Sequence, residues 1–281
     1  VDLVTELTPK DVQQVESSPY AKLVTSEGNE VVTGIFNRFQ SDVDLDDYNL
    51  RMAINMAIRR DDIIQNVYGG YATLTPALTP PWAYDFPEEL EPIMYSRQQS
   101  RQLFESSSYP KSRPLKIVAF KKHENLLLAV AAQIEETLSI WVETIVIPVQ
   151  EETKWIRVVA EKKLTPGWDI LIASATTQFY EGTPAFFHRE LFGFDGALRT
   201  GPELPEFDEV YREMVSQIRR KELLAAAKDV DRFVYQNALS LFLCVPHKLY
   251  AVNRHVDFKP YRTTFELAET EVGEMHWSRR R

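Results

Sequence analysis

The stretch Leu115-Lys116-Ile117-Val118-Ala119-Phe120 is a short apolar run bounded by breakers, and reads as a β-strand. Downstream of it Leu126, Val130, Ile134, Leu138 and Trp141 recur every three to four residues, the spacing of one helical face. Thr144-Ile145-Val146-Ile147-Pro148-Val149 reads as a second strand, and Trp155, Val158 and Val159 lie on a second helix. Trp168-Asp169-Ile170-Leu171-Ile172-Ala173 reads as a third strand. Strand, helix, strand, helix, strand requires two right-handed crossovers, which predicts a parallel sheet with helices on both faces.

Working toward the start, Ser41-Asp42-Val43-Asp44-Leu45-Asp46-Asp47 caps a helix whose apolar face is Leu50, Ala53, Ile54, Ala57 and Ile58. Arg59-Arg60 then meets Asp61-Asp62, a basic helix end against an acidic helix start. Arg60 is expected to pair with Asp61 or Asp62, and Arg51 to be structural. The short helix that follows carries Ile63, Ile64 and Val67 and stops at Gly69-Gly70. Five prolines between residues 76 and 92 exclude helix there. A long loop is expected, pinned by Trp82, Tyr84 and Phe86. Ser96 caps another helix with Leu103 and Phe104 facing inward.

Toward the end, residues 184 to 192 read as helix and residues 193 to 205 as a Gly/Pro loop. Helices follow from Pro205 to about Arg220 and from Lys221 to Asn237. Leu241 to Val245, Leu249 to Val252 and Thr263 to Ala268 are candidate strands.

The 281 residues are 44% hydrophobic and 26% charged, an ordinary globular composition of roughly two domains' length. The net charge is 32 − 41 = −9, with no basic stripe longer than Arg279-Arg280-Arg281, so no nucleic-acid partner is expected. No apolar run approaches the roughly 18 residues of a membrane span. The start, Val1-Asp2-Leu3, carries no Met and no signal segment, which predicts that something precedes it in the whole protein. Cys244 is the one cysteine, so no internal disulfide is expected and core packing is its simplest role.

Catalytic motifs are absent. There is no phosphate-cradling glycine loop and no Gly-x-Ser-x-Gly elbow. His123-Glu124 lacks the second histidine of a zinc protease, and the five histidines show no metal-ligand spacing. Asp42-x-Asp44-x-Asp46 begins like a calcium loop, but Asp47 and Ala53 stand where Gly and Glu are needed. No catalytic residue, metal or cofactor is therefore assigned.

Ligands of open α/β sheets bind beyond the carboxyl ends of the strands. Lys121-Lys122-His123, Gln150-Glu151-Glu152 and the loop from Ser174 to Thr183 fall at that edge. Thr176-Thr177-Gln178-Phe179-Tyr180-Glu181 mixes hydrogen-bonding groups, two aromatics and a charge, a composition that suits a small polar ligand. The alternative is a surface loop whose aromatics pack into the core, and the residues leave both readings open.

Arg51-x-Ala53-Ile54-Asn55-x-Ala57-Ile58-x-Arg60-Asp61-x-Ile63-Ile64, followed by Val67-Tyr68-Gly69-Gly70, resembles the signature of family 5 extracellular solute-binding proteins, the dipeptide, oligopeptide and nickel receptors of ABC importers. Val32 to Asn37 resembles the family's hinge strand. Tyr84-Asp85, the segment from Tyr95-Ser96 to Tyr109-Pro110, Trp168-Asp169-Ile170-Leu171, Pro205-Glu206-Phe207-Asp208 and Val252 to Tyr261 resemble further landmarks in the right order. Where the peptide receptors place an acid in an Asp-Pro context, this chain departs with Tyr180-Glu181-Gly182-Thr183-Pro184, in which the resemblance implies Glu181 as the substitute for that acid. Tyr180 falls near an aromatic position that nickel-chelate receptors use.

The resemblance implies an α/β, type II periplasmic-binding-protein lobe with a mostly parallel sheet, plus short segments of the partner lobe. Residues 1–34 would be a piece of the first lobe with a hinge strand, 35–245 the ligand-binding second lobe, and 246–281 the return to the first lobe. It implies a non-enzymatic, extracytoplasmic substrate-binding component that captures a peptide-like or other small polar solute and works with permease subunits. A lipid anchor on the part preceding residue 1 would be compatible with it. The ligand-binding residues would be Thr176, Thr177, Gln178, Phe179, Tyr180 and Glu181, with Asn37 and Arg38 at the hinge. The alternative is a ligand-sensing domain of a cytoplasmic transcription regulator with the same fold. A hydrolase or transferase is a remoter one.

Overall fold

The computed structural model describes residues 2–161, 167–176 and 184–279. Its strands are β1 (Leu3–Val4), β2 (Ala21–Ser26), β3 (Glu30–Phe36), β4 (Ala72–Leu74), β5 (Leu115–Phe120), β6 (Val142–Ile147), β7 (Ile170–Thr176), β8 (Ser240–Pro246), β9 (Lys248–Asn253), β10 (Val256–Asp257) and β11 (Glu271–Val272). Its α-helices are α1 (Val12–Ser17), α2 (Tyr48–Met56), α3 (Arg60–Asn66), α4 (Arg97–Ser106), α5 (Glu124–Leu138), α6 (Val149–Ala160), α7 (Phe186–Phe192), α8 (Pro205–Val215) and α9 (Arg220–Gln236).

The βαβαβ unit stands as expected. β5 pairs in parallel with β6, Leu115 opposite Val142, and with β7, Ile117 opposite Ile170. The whole six-stranded sheet, in the order β4-β8-β3-β7-β5-β6, is mixed. The other three pairings, β3 with β7, β3 with β8 and β4 with β8, are antiparallel, so the parallel part is three strands wide. The reason is topological: β3 and β8 carry the chain into and out of this sheet, and they do so side by side in opposite directions.

The two faces bury separate cores. On one face α2, α4 and α5 bring Leu50, Ile54, Phe104, Leu126, Val130 and Ile134 against Leu115, Ile117 and Ala119. On the other, α6 to α9 bring Trp155, Leu191, Phe207 and Val230 against Val118, Phe120 and Leu171. The caps explain where the helices begin. Asp47 accepts from the backbone N–H of Asn49 at 2.8 Å and opens α2, and Ser96 Oγ accepts from Gln99 and opens α4.

The polar residues of the segment from Arg51 to Arg60 form a buried strut between α2, α3 and β8. Arg51 donates to the carbonyls of Leu45, Asn237 and Ala238. Asn55 donates to Ser240 O and accepts from Phe242 N–H, and Arg60 donates to the carbonyls of Asn55, Ile93 and Phe242 and to Asn55 Oδ1. Arg51 is structural as expected. Arg60 is not in the expected ion pair: its guanidinium points inward, and Asp62 pairs with Arg59 at 2.8 Å instead.

A second, three-stranded sheet has the order β1-β9-β2 and its own core of Tyr250, Val252, Val256 and Phe258. Thr263 to Ala268 is not a strand; β10 pairs antiparallel with β11 instead, Val256 opposite Val272. Two aromatics also differ from expectation. Trp141 lies beyond the left-handed residue Ser139 that closes α5, and is 72% exposed. Tyr84 does not pin the proline-rich loop; it is 76% exposed, while Trp82 does, through Nε1 donating to Gly28 O at 2.8 Å.

Candidate functional site at the crossover edge

The chain passes between the two sheets twice, at residues 27–29 and at His247. Strand register shows which edge of the large sheet those crossovers occupy. Glu30, the first residue of β3, lies opposite Thr176, the last of β7, and Ala72, the first of β4, lies opposite Pro246, the last of β8. Phe120 and Ile147 end β5 and β6 side by side. The carboxyl ends of all three parallel strands therefore point to the edge where the small sheet begins.

The crossovers are tightly packed. A Cβ built on Gly28 would lie 1.9 Å from the Pro246 carbonyl oxygen, so only glycine admits this approach. His247 donates its N–H to Tyr71 O at 2.9 Å and shares a 2.9 Å hydrogen bond between Nε2 and Thr73 Oγ1. Arg262 pairs with Glu27 at 2.6 Å and lies over the Trp82 ring at 5.6 Å.

Across the carboxyl ends of β5 and β7, His123 Nε2 and Ser174 Oγ share a 2.8 Å hydrogen bond. His123 is buried, and that burial, with the Lys122 charge beside it, pulls the imidazole down to about 4 against the opposing pull of Glu30. It is thus neutral at physiological pH. Lys122 pairs with Glu30 at 3.4 Å and Lys121 with Glu124 at the surface, so charges of both signs ring this edge. The Lys121-Lys122-His123 segment was legible as an edge segment; its tie to Ser174 was not, because His123, in the turn after β5, and Ser174, on β7, are 51 residues apart.

Of the residues expected to bind ligand, Thr176 ends β7 at this edge. Thr177, Gln178, Phe179, Tyr180 and Glu181 lie outside the described residues. Asn37 and Arg38 do not share the edge. They follow the opposite end of β3, and at about 3.3 Å per residue the two ends of that strand are roughly 20 Å apart. Asn37 is fully buried there; its N–H donates to Asp169 O and its side-chain amide to Trp168 O, both at 2.8 Å. Arg38 donates its N–H to Thr200 O, and its guanidinium pairs with Glu203 and covers the Phe39 ring at 4.8 Å. Asp169 joins this far-end network, accepting from Arg113, from Gln40 and from the Lys116 N–H.

Between α6, α7 and the strands β3 and β7 lies an apolar pocket of about 150 Å³. Phe120, Trp155, Ile156, Phe187, Leu191 and Leu198 form much of its wall, with Ala173 and Ala175 of β7 among its lining. Trp155 meets Phe120 edge-on at 5.5 Å and Trp168 at 6.0 Å. The sequence placed Trp155 on a helix and gave no sign of the space beside it. Among the described residues no three His, Cys, Asp or Glu side chains are placed to hold a metal ion, and no helix is long and apolar enough to cross a membrane.

Comparison with known proteins gives a family match and several similar folds. The family model for bacterial extracellular solute-binding proteins, family 5 Middle, matches residues 1–187. Heme-binding protein A of Haemophilus influenzae is 26% identical over 109 residues, 39% of this chain and 20% of that protein. The fold is similar to that of the ABC transporter substrate-binding protein CtaP from Listeria monocytogenes, with a TM-score of 0.82 at 17% identity, covering 97% of this chain and 56% of CtaP. It is also similar to the periplasmic binding protein DppA from Helicobacter pylori in complex with the peptide STSA, with a TM-score of 0.77 at 18% identity, covering 94% of this chain and 50% of DppA. The chain thus spans about half the length of these solved structures and a fifth of the curated relative.

Proposed function

The chain belongs to the bacterial extracellular solute-binding proteins of family 5, and from that membership we propose that it forms part of the substrate-binding component of an ABC importer, which captures a peptide-like or other small polar solute and delivers it to the permease. The protein would act outside the cytoplasm and by binding rather than turnover. The observation that carries this reading is the register of Glu30 with Thr176, which sets the carboxyl ends of β5, β6 and β7 at the edge where the chain crosses between sheets.

The small sheet would be the chain's share of the first lobe and the large sheet the second lobe. We draw the lobes on either side of the crossovers at residues 27–29 and 247, which puts the first boundary before β3 instead of within it after residue 34, and the second beside the expected residue 245. Two crossovers that pack backbone against backbone act as a hinge, and a solute touching both lobes favours the closed form by its extra contacts there. Residues 176 to 181 are the proposed ligand loop. Asn37 and Arg38, expected at the hinge, are assigned to holding the far end of the sheet.

Native mass spectrometry of the gently purified full-length protein tests the proposal. A retained small solute, lost on mild unfolding and regained on refolding with the released material, is the expected result. A full-length protein that retains none, and whose melting temperature no peptide or metal chelate raises, counts against it.

A further inference from the structure

We propose that the pocket between α6, α7 and β7 receives an apolar group of the captured solute, of the size of one phenyl ring or a branched aliphatic chain. The inference rests on the receptor reading and narrows it: the preferred solute is amphipathic, not uniformly polar.

Three observations carry it. First, the size fits one ring. An apolar cavity of about 150 Å³ stays dry and takes a benzene-sized guest, and this pocket has that volume. Second, its lining is poor in partners for water, with hydroxyls among the described lining residues only on Thr33, Ser174 and Thr200. The wall is mainly aromatic and aliphatic, and two of the hydroxyls in the lining are already engaged, Thr33 Oγ1 donating to Leu241 O at 2.9 Å and Ser174 Oγ bonded to His123. A water molecule needs two to four polar partners to be held, and these two hydroxyls are committed elsewhere. Third, its position fits capture. Phe120 ends β5, Ala175 is the last residue but one of β7, and Phe187 is in the first turn of α7, so the pocket lies beside the edge assigned to ligand binding. Exposed Ile156 on α6 forms part of its rim.

Burying one ring in such a pocket removes most of its surface from water, and that gain is unavailable to a solute lacking the group. The pocket would therefore act as a selectivity filter, while the charges of the edge orient the polar remainder.

Toluene is the probe, added to the full-length protein and followed by saturation-transfer NMR. Wild type is expected to take toluene. Ala173→Phe fills the pocket from β7, and Ile156→Glu sets a charge on its exposed rim with little risk to folding; each is expected to weaken toluene at least tenfold. The solute retained by wild type in native mass spectrometry is expected to carry a phenyl or branched aliphatic group and to be held at least tenfold more weakly by Ala173→Phe. Toluene that does not bind, or that binds both variants as it binds wild type, overturns the pocket. A retained solute with no apolar group, or one held equally by Ala173→Phe, overturns the assignment of its occupant. A protein that takes toluene in the expected pattern but retains no solute overturns the receptor reading instead, so the two failures are told apart.

Discussion

Gly28 and Pro246 meet backbone to backbone where the chain crosses between its two sheets, with no room for even one side-chain carbon between them. Substituting Gly28→Ala must force the crossovers apart. Overpacking of this kind costs about 1–3 kcal/mol, read as a drop of several degrees in melting temperature. On the proposed function, the larger effect in the full-length protein is expected on solute affinity, because the relative setting of the two proposed lobes would change. Calorimetric unfolding together with solute titration checks both; a variant that melts and binds like wild type would show that this contact is not the hinge's constraint.

Arg60 gives a second expectation. Its guanidinium is buried among carbonyls from three separate segments, and burial pulls its own proton affinity down to about 10. Arg60→Met removes the donors and leaves Phe242 O and Ile93 O without them, and each unsatisfied buried acceptor costs about 1–3 kcal/mol. Arg60→Lys keeps a charge but not the planar fork, so it is expected to be nearly as damaging. Urea unfolding should show midpoints well below wild type for both. A lysine variant of full stability would refute the fork's role.

These residues also mark what the sequence disclosed. The helical faces of α2 and α5 and the parallel strands β5 to β7 were legible because their periodicity is local, and caps such as Asp47 and Ser96 announce themselves in the next three residues. The destination of Arg60 was not legible: a neighbouring Asp61-Asp62 is visible in sequence, whereas Phe242 O lies 182 residues on. The mixed character of the sheet was hidden for the same reason. β3 reads as one more apolar run until its partners β7 and β8, both far downstream, are known. At the site, the edge segments could be named from sequence, but neither the His123–Ser174 tie nor the pocket beside Trp155 has a local signal, because each is assembled from separate elements.

Two buried groups predict opposing pH dependences over one window. Asp85 is buried near Asp231, and burial first, then that neighbouring carboxylate, push it up to about 6, against smaller pulls from His188 and Lys228. Asp231 itself accepts from His188 Nε2 at 2.6 Å and from the Leu78 N–H at 3.0 Å. The folded chain holds a proton on Asp85 that the unfolded chain has released, so this contribution is full below pH 3.8 and is lost as pH rises through about 6. His123 runs the other way. It stays neutral in the fold down to about pH 4, so its contribution is full above pH 6.5 and is lost as pH falls through about 4. Each is worth on the order of 2–3 kcal/mol. Asp85→Asn is expected to leave a stability that rises from pH 4 to 6.5, and His123→Gln one that falls over the same range. Urea midpoints measured across that window decide it; parallel profiles for the two variants would contradict the assignment.

The two ends of β3 separate binding from stability. Tyr180→Ala and Glu181→Ala, in the proposed ligand loop, are expected to lower solute affinity at least tenfold in the full-length receptor, the loss of one well-formed contact or about 1.4 kcal/mol. If they act only through the solute, they should leave the melting temperature of the solute-free protein within a degree or so, since substitutions away from core, caps and buried networks are usually within about 0.5 kcal/mol. Arg38→Ala should do the reverse. It removes one of the two arginines that pair with Glu203, leaving Arg199 at 2.7 Å, and uncovers Phe39 at the far end, lowering the solute-free melting temperature while leaving affinity unchanged. Melting curves with and without solute measure both quantities on the same samples. If Arg38→Ala weakens binding and the loop variants do not, the solute is held at the far end of β3, and the crossover edge is not the site.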